Sequence, residues 1–244
     1  MATSSLEVTV LRVFTDTRGA FGNKIGLFTS NDVVPEERQQ VAAQCRFSET
    51  VFVDLPDASS ATAQLHIYSP AVPVPFAGAP ALAAAWWLRE RGSPVHTLHV
   101  PAGVISVEYG NHTVAVRVPS EWAPEMVMHD LPSPDAVVRA EAEDYADGFA
   151  HCVWSWVDRS LGLARSRVFA PELGIGEDEA TGAAAVRLTD YLGCSLTIVQ
   201  GHGSVIRTSW STSGWVWVTG DVAADGVEAL DGPPGGRPGG STVW

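Results

Sequence analysis

Two segments of the chain repeat one pattern, and this internal repeat limits the folds that the sequence can adopt. "PFAGAPALAAAWWLRERG" at residues 75–92 and "GIGEDEATGAAAVRLTDYLG" at residues 174–193 each run from a glycine-containing turn into a small-residue segment that ends in charge and glycine. A glycine that follows the last residue of a helical apolar pattern commonly marks the end of a helix. An apolar surface on nearly all sides, as the alanine-rich run at 81–88 predicts, is typical of a buried helix. The repeat therefore predicts two similar halves, each built around one buried helix.

Strand patterns surround both predicted helices. Alternating apolar residues in "SETVFVDLP" and "TAQLHIYSP" predict a hairpin, and a short helix is expected after Pro35. We place one half at residues 1–119 around a helix at 80–91, and the other at residues 120–228 around a helix at 180–192. In the second half, "AVVRAEAEDYADGF" is helical in pattern. The Gly- and Pro-rich residues 229–244 predict a flexible tail.

Composition and charge exclude several classes of function. The net charge of -13 leaves no basic patch for a nucleic acid, and the apolar runs are shorter than the ~20 residues that span a bilayer. The polar start of the chain resembles no secretion signal, so we expect a cytoplasmic protein with no membrane partner. Three cysteines without metal-ligand spacing are expected to be reduced thiols, and His96 and His99 lack a third ligand, so no metal is predicted.

The two predicted helix starts are candidate anion sites. Unpaired backbone N–H groups and the positive end of the helix dipole lie at a helix N-terminus, where a substrate carboxylate can bind. If both starts face a shared cleft, the function is expected between the halves. The alternative is that Gly78 and Gly182 only permit close packing of the helices.

Three stretches resemble the signature motifs of the PhzF-like family, which is named for phenazine biosynthesis. They are "FSETVFV" at 47–53, "YSPAVPVPFAGAP" at 68–80 and "RVFAPELGIGEDEATGAAA" at 167–185, and the N-terminal "VFTDTRGAFGNKIGLF" is also similar to the opening of that family. The resemblance is weakest between residues 120 and 165. It implies the diaminopimelate-epimerase-like fold, of class α+β, in which two pseudo-symmetric halves each curl a mostly antiparallel sheet around a central helix. It also implies an isomerase that needs no cofactor, acts on a small carboxylate and forms a homodimer.

The resemblance assigns two candidate catalytic residues. Glu49 stands where the family carries its proton-shuttling glutamate, and apolar neighbours would raise the pKa of its carboxyl toward the range where one group both takes and returns a proton. The alternative for Glu49 is a solvated strand residue. Asp178 stands at the family's aspartate, where it would bind substrate or assist proton return, and it can also stabilise the helix start. The substrate-binding positions carried over are Asn23, Gly78, Ala79, Thr181, Gly182 and Ala183.

The sequence departs from the family pattern at these positions. Ala79 replaces a histidine, Ala183 a serine and Glu179 a proline, and Pro73 stands where an acidic residue is common. His66 is a candidate to take the place of the missing histidine. Either the pocket is reshaped for a smaller or less hydroxylated substrate while Glu49 still moves the proton, or the protein has lost catalysis and binds a ligand.

We therefore predict an isomerase that shifts a proton and a double bond on a small unsaturated carboxylate of specialised metabolism. A cyclic dehydroamino acid such as an alkylidene-pyrroline is one such compound, and Ala79 and Ala183 disfavour phenazine biosynthesis itself. A racemase or epimerase of the two-thiol type is a further alternative. It would need a cysteine at each helix start, but positions 79 and 183 are both alanine.

Overall fold

Strands predominate over helices in the computed structural model, which describes residues 5–56, 61–171 and 175–230. The N-terminal part contains β1 (Leu6–Thr15), β2 (Asn23–Thr29), α1 (Arg38–Cys45), β3 (Glu49–Asp54), β4 (Thr62–Tyr68), β5 (Pro73–Val74), α2 (Gly78–Glu90), β6 (Thr97–Val100), β7 (Gly103–Tyr109) and β8 (Thr113–Pro119). The C-terminal part contains β9 (Val127–Asp130), α3 (Pro134–Val138), β10 (His151–Asp158), β11 (Leu163–Ala170), β12 (Ile175–Asp178), α4 (Gly182–Leu192), β13 (Leu196–Gln200), β14 (Ser204–Trp210) and β15 (Trp215–Leu230). Within these ranges no helix is long and apolar enough to cross a membrane.

Eight strands close into a ring around α2, which we call the N-terminal ring. β1, β2, β3, β4, β6, β7, β8 and β15 pair in this order, and β15 pairs back with β1. From Gly78 to Leu88 every residue of α2 except Trp86 is buried. Alanine side chains are small enough to let strands approach the helix from all sides, so the alanine-rich sequence explains how a ring can close around α2.

The strands around α4 form an open sheet, which we call the C-terminal sheet. β15, β14, β13, β11, β10 and β9 pair in this order, and α4 contacts β14 and β15. Ala184, Val186 and Leu188 are buried, whereas Asp190 and Tyr191 on the same helix are exposed. This helix was predicted to repeat the buried helix of the first half, but it is buried only in part, because among the described residues the C-terminal sheet does not close around it.

The two halves repeat one arrangement of strands and helices. Within the described residues, the parallel pairs are β2–β3, β4–β6, β9–β10 and β11–β13, and each pair is connected through one of the four helices. A short strand also precedes each central helix and pairs antiparallel with the strand before it: β5 with β4, and β12 with β11. The other pairs are antiparallel, which confirms the predicted α+β fold of two pseudo-symmetric halves.

The long strand β15 joins the two sheets. Its first part pairs with β8 and β14, and its remainder, from Asp221 to Leu230, pairs with β1. The strand thus continues beyond residue 229, where the predicted tail begins, and residues 231–244 lie outside the described ranges. The division of the chain near residue 120 stays a prediction, since the sheet is continuous from β8 through β15.

One predicted helix is broken into two short pieces. The segment 136–149 was expected to be helical, but α3 ends at Val138 and a 3-10 turn follows at Ala142–Tyr145. The guanidinium of Arg167 donates hydrogen bonds to the carbonyl oxygens of Val138 and Ala140. These bonds to a distant strand compete with the local helical bonds, which explains why a helical pattern did not produce one helix.

A substitution at Gly220 tests the packing between the two sheets. A Cβ atom there would lie 2.5 Å from Cδ1 of Phe14, a buried residue with φ of 68° at an irregular position in the β1–β15 pairing. We expect Gly220→Ala to lower the free energy of unfolding by about 1–3 kcal/mol, because the core is already close-packed. Urea denaturation measures the loss. In a Phe14→Leu background the same change should cost less, and equal costs in both backgrounds would contradict this packing.

Candidate active site

The starts of α2 and α4 meet at the junction of the two sheets. A Cβ atom on Gly78 would lie 3.7 Å from the Cα of Gly182, and one on Gly182 would lie 3.5 Å from the Cα of Gly78. The N-cap residues Ala77 and Thr181 make no side-chain capping bond in the described structure. Two positive helix ends with uncapped N–H groups therefore converge, and this is the environment that a small anion needs.

Glu49 lies at the start of β3, next to this junction. The chain reaches it from α1 through Arg46, whose φ of 56° turns the backbone toward the sheet. Glu49 is half-buried, and its Oε2 atom is buried without a hydrogen-bond partner among the described residues. Burial raises the pKa of Glu49 to about 8, and the nearby charge of Asp178 acts in the same direction.

Asp178 ends β12 and is held from both halves of the chain. Its Oδ1 accepts a hydrogen bond from Nδ2 of Asn23 at 2.7 Å, and its Oδ2 accepts one from Oγ1 of Thr181 at 2.7 Å. Nδ2 of Asn23 also donates to the carbonyl oxygen of Ala180 at 3.1 Å. Donors to both oxygens suit the ionised carboxylate, which can only accept. Asn23, Asp178 and Thr181 are thus brought together as one group.

Gln200 belongs to this group, although the sequence patterns did not single it out. It is fully buried at the end of β13, and its Nε2 donates to the backbone oxygen of Asp178 at 2.9 Å and to Oγ1 of Thr181 at 2.8 Å. Because Nε2 can only donate, the hydroxyl of Thr181 accepts from Gln200 and donates to Asp178. A buried glutamine at a strand end was the available signal, but its partner lies 22 residues away in the chain.

The two carboxyl groups differ in environment. Glu49 combines a buried oxygen that has no partner within the described ranges with a pKa raised to about 8, whereas Asp178 has hydrogen-bond donors on both oxygens. A neutral acid beside an anion is an arrangement suited to proton transfer near neutral pH. Chemically, the site can bind an anion at the helix starts and exchange a proton with it.

Of the other predicted residues, Ala79 and Ala183 lie at the helix starts, whereas His66 does not belong to the site. Ala79 is buried and Ala183 half-buried, each in the first turn of its helix. The suggestion that His66 replaces the missing histidine was wrong. It pairs with Phe52, which places it on the opposite sheet face from Glu49, and its Nε2 lies 3.2 Å from Oδ2 of Asp54.

None of the three cysteines lies in the first turn of α2 or α4. Cys45 ends α1, Cys152 lies in β10 and Cys194 follows α4. Burial raises the pKa of Cys45 to about 11 and that of Cys152 to about 12, which disfavours reactive thiolates. In the part of the chain that the structure describes, no group of three His, Cys, Asp or Glu side chains could hold a metal ion.

Fold and site together define a two-lobed α+β protein with a carboxyl pair where its central helices begin. The sequence matches the phenazine biosynthesis-like family, PhzC-PhzF, over residues 11–144 and 107–209. The chain belongs to this family.

Two curated relatives carry isomerase names. The chain is 28% identical over 140 residues to an uncharacterised isomerase of Pasteurella multocida, a match that covers 56% of this chain and 48% of that protein. It is 27% identical over 208 residues to trans-2,3-dihydro-3-hydroxyanthranilate isomerase of Pseudomonas fluorescens, covering 70% of this chain and 74% of the relative. The first match thus spans only about half the length of the relative. The names indicate isomerase activity in the family.

Solved structures confirm the fold. A PhzF-family phenazine biosynthesis protein of Enterococcus faecalis superimposes with a TM-score of 0.76 at 18% identity, covering 93% of this chain and 99% of that chain. A probable proline racemase of Agrobacterium radiobacter superimposes with a TM-score of 0.59 at 10% identity, covering 94% of each chain. The fold is therefore one that PhzF-like proteins share with racemases, as the resemblance implied.

Proposed function

We propose that the protein is a cofactor-independent isomerase that moves a proton and a double bond on a small unsaturated carboxylate. The observation that carries the proposal is the carboxyl pair at the helix junction: Glu49, with an unpaired oxygen and a raised pKa, beside Asp178 with its two donors. A group whose pKa lies near the ambient pH both donates and accepts protons efficiently.

The geometry suggests a division of roles. The uncapped starts of α2 and α4 bind the substrate carboxylate, and the charge of Asp178 and the burial of Glu49 keep the Glu49 proton available. One C–H bond of the substrate breaks, one C–H bond forms at the other end of the three-carbon unit, and the double bond moves between them. Glu49 donates its own proton, which exchanges with solvent, to one carbon and takes up the proton that leaves the other carbon, so no net proton is taken up or released.

The residues at the helix starts favour a substrate with few hydroxyl groups. Ala79 and Ala183 offer methyl groups where the family pattern has a histidine and a serine, so a hydroxyl placed there would lose its hydrogen bonds. The Pseudomonas fluorescens relative is named for a hydroxylated dihydroanthranilate. We therefore propose a cyclic dehydroamino acid without that hydroxyl, such as an alkylidene-pyrroline carboxylate, in antibiotic or other specialised-metabolite biosynthesis. A cytoplasmic homodimer completes the proposal.

The second candidate function is ligand binding without catalysis. It is favoured by the same two alanines, because they remove polar side chains from the site. The two functions share one fold and one bound anion, and they differ only in whether protons move.

An NMR experiment in D2O separates the two functions. Alkylidene-pyrroline carboxylate and trans-2,3-dihydro-3-hydroxyanthranilate are each incubated with the purified protein, and deuterium is located in the recovered compounds. We expect deuterium at one carbon and a moved double bond, with the compound that lacks the hydroxyl reacting faster. Binding of either compound without deuterium incorporation would favour the ligand-binding function and overturn the isomerase.

A further inference from the structure

Glu179 directly follows Asp178 in the chain, and both of its carboxylate oxygens are engaged by His202 and Ser204. Its carboxylate accepts the backbone N–H of His202 at 2.9 Å, lies 2.7 Å from Nδ1 of His202, and accepts the hydroxyl of Ser204 at 2.7 Å. The side chain of Glu179 is 22% exposed. These contacts give a defined position to the residue that departs from the proline of the family pattern.

The turn between β13 and β14 is shaped around this carboxylate. Gly201 has φ of 56°, and a Cβ atom there would lie 2.3 Å from Oε2 of Glu179. Any larger residue at 201 would therefore collide with the carboxylate as well as adopt an unfavourable backbone conformation. Gly201 thus leaves the space in which the Glu179 carboxylate bonds to this turn.

Ser204 connects Glu179 to the N-terminal half of the chain through hydrogen bonds. Its hydroxyl donates to Glu179 and accepts the backbone N–H of Gly22 at 2.9 Å, and Ser204 is fully buried. Gly22 precedes Asn23, whose side chain donates to Asp178. A Cβ atom on Gly22 would lie 2.4 Å from the carbonyl oxygen of Val13, so this turn also requires glycine.

The contacts form a closed circuit around Asp178. Covalent bonds join Asp178 to Glu179 and Gly22 to Asn23, while hydrogen bonds join Glu179 to Ser204, Ser204 to Gly22 and Asn23 to Asp178. The circuit ties the turn before β2 to the turn after β13. Outside the circuit, the ring of Phe21 lies against Gly203, where a Cβ atom would approach it to 2.7 Å.

We propose that Glu179 is a positioning residue that fixes Asp178 relative to Glu49 by holding the two halves together through Ser204 and Gly22. The inference rests on the proposed function for its catalytic meaning, but the circuit itself is independent of any substrate. Proline limits the backbone locally through its ring. In this chain, side-chain hydrogen bonds across the junction of the halves provide the restraint instead.

Two substrate-free measurements on Glu179→Ala test this role. The first is the hydrogen-exchange rate of the Gly22 amide, which we expect to rise about tenfold when the Ser204 hydroxyl loses its hydrogen bond to Glu179. The second is the ¹³C NMR titration of the Glu49 carboxyl, whose midpoint we expect to fall by roughly half a unit as Asp178 moves and water enters. Neither reading needs an active enzyme, so a failure of the proposed isomerase leaves this test intact.

The matched control is Glu177→Ala. Glu177 is the other neighbour of Asp178, and it makes an ion pair with Arg167 at 2.7 Å outside the circuit. Unfolding in urea shows how much global stability each variant loses. Glu179→Gln, which keeps the volume but leaves only one acceptor oxygen, should give intermediate readings and serves if the alanine variant does not fold. Unchanged Gly22 exchange and Glu49 titration in the Glu179 variants, or equal changes in Glu177→Ala, would overturn the proposal.

Discussion

Replacing Glu49 by glutamine is expected to slow isomerisation and deuterium incorporation by about 10²–10⁴-fold, the usual contribution of a positioned acid or base. Glutamine has nearly the same shape but cannot release and recover a proton under these conditions. The helix starts proposed to bind the substrate carboxylate are unchanged, so substrate affinity should change little. Proton NMR of the reaction in D2O measures the rate, and isothermal titration calorimetry measures the affinity.

Two further variants make this prediction specific to the Glu49 carboxyl. Glu49→Asp keeps the acid but withdraws it by one methylene, and we expect it to recover part of the rate. Glu108→Gln makes the same chemical change at an exposed position of β7 and should leave the rate unaltered. An undiminished rate in Glu49→Gln would remove Glu49 from the mechanism and leave Asp178 as the acid/base to test.

The second large effect concerns the dependence of stability on pH. The pKa of Glu49 is raised from 4.5 to about 8 in the folded protein, chiefly because the carboxyl is buried. Between these two values the folded state keeps a proton that the unfolded chain has lost. Raising the pH through this window therefore favours unfolding, and the stabilisation that is complete below about pH 4.5 is lost by the time the pH passes about 8.

The magnitude of this effect is several kcal/mol, since each unit of pKa shift corresponds to about 1.4 kcal/mol. Glu49→Gln has no proton to lose, so its free energy of unfolding should fall less between pH 5 and pH 9 than that of the unmodified protein. Urea denaturation at a series of pH values gives the two curves. Other titrating groups are common to both proteins and cancel in the difference.

Glu108→Gln again serves as the control, and its curve should run parallel to that of the unmodified protein. Parallel curves for Glu49→Gln would mean that Glu49 titrates in the folded state as it does in the unfolded chain. In that case its raised pKa, and with it the distinction between the two carboxyl groups, would have to be abandoned.

Local patterns in the sequence were sufficient for the central helices and for most strands. The glycine turns and alanine-rich runs predicted α2 and α4, because helix starts, helix ends and apolar periodicity depend on residues a few positions apart. The family motifs then selected Glu49 and Asp178 as candidates, and the comparisons confirm the family and the fold. The catalytic roles of these residues stay predictions.

Local patterns failed where a distant contact competes with a local one. The pattern at 136–149 is helical, yet Arg167 holds two of its carbonyl oxygens and the helix stops at Val138. The run in α4 resembles that in α2, yet among the described residues only α2 is enclosed, because β15 pairs back with β1. Neither outcome is encoded within the segment itself.

By itself, then, the sequence determined which segments become the two central helices and, to within two residues, where each begins: starts at 80 and 180 were predicted, and the helices begin at Gly78 and Gly182. The family resemblance selected Glu49 and Asp178 as the acids of the candidate site. Only the tertiary structure decided what surrounds the acids: Asn23 bound to Asp178, Gln200 orienting Thr181, and Ser204 joining Glu179 to Gly22. The physical reason is how far apart in the chain the interacting residues lie. Periodicity and helix ends are set by neighbours in the chain, whereas the burial and hydrogen bonds that distinguish Glu49 from Asp178 arise only when distant segments pack together.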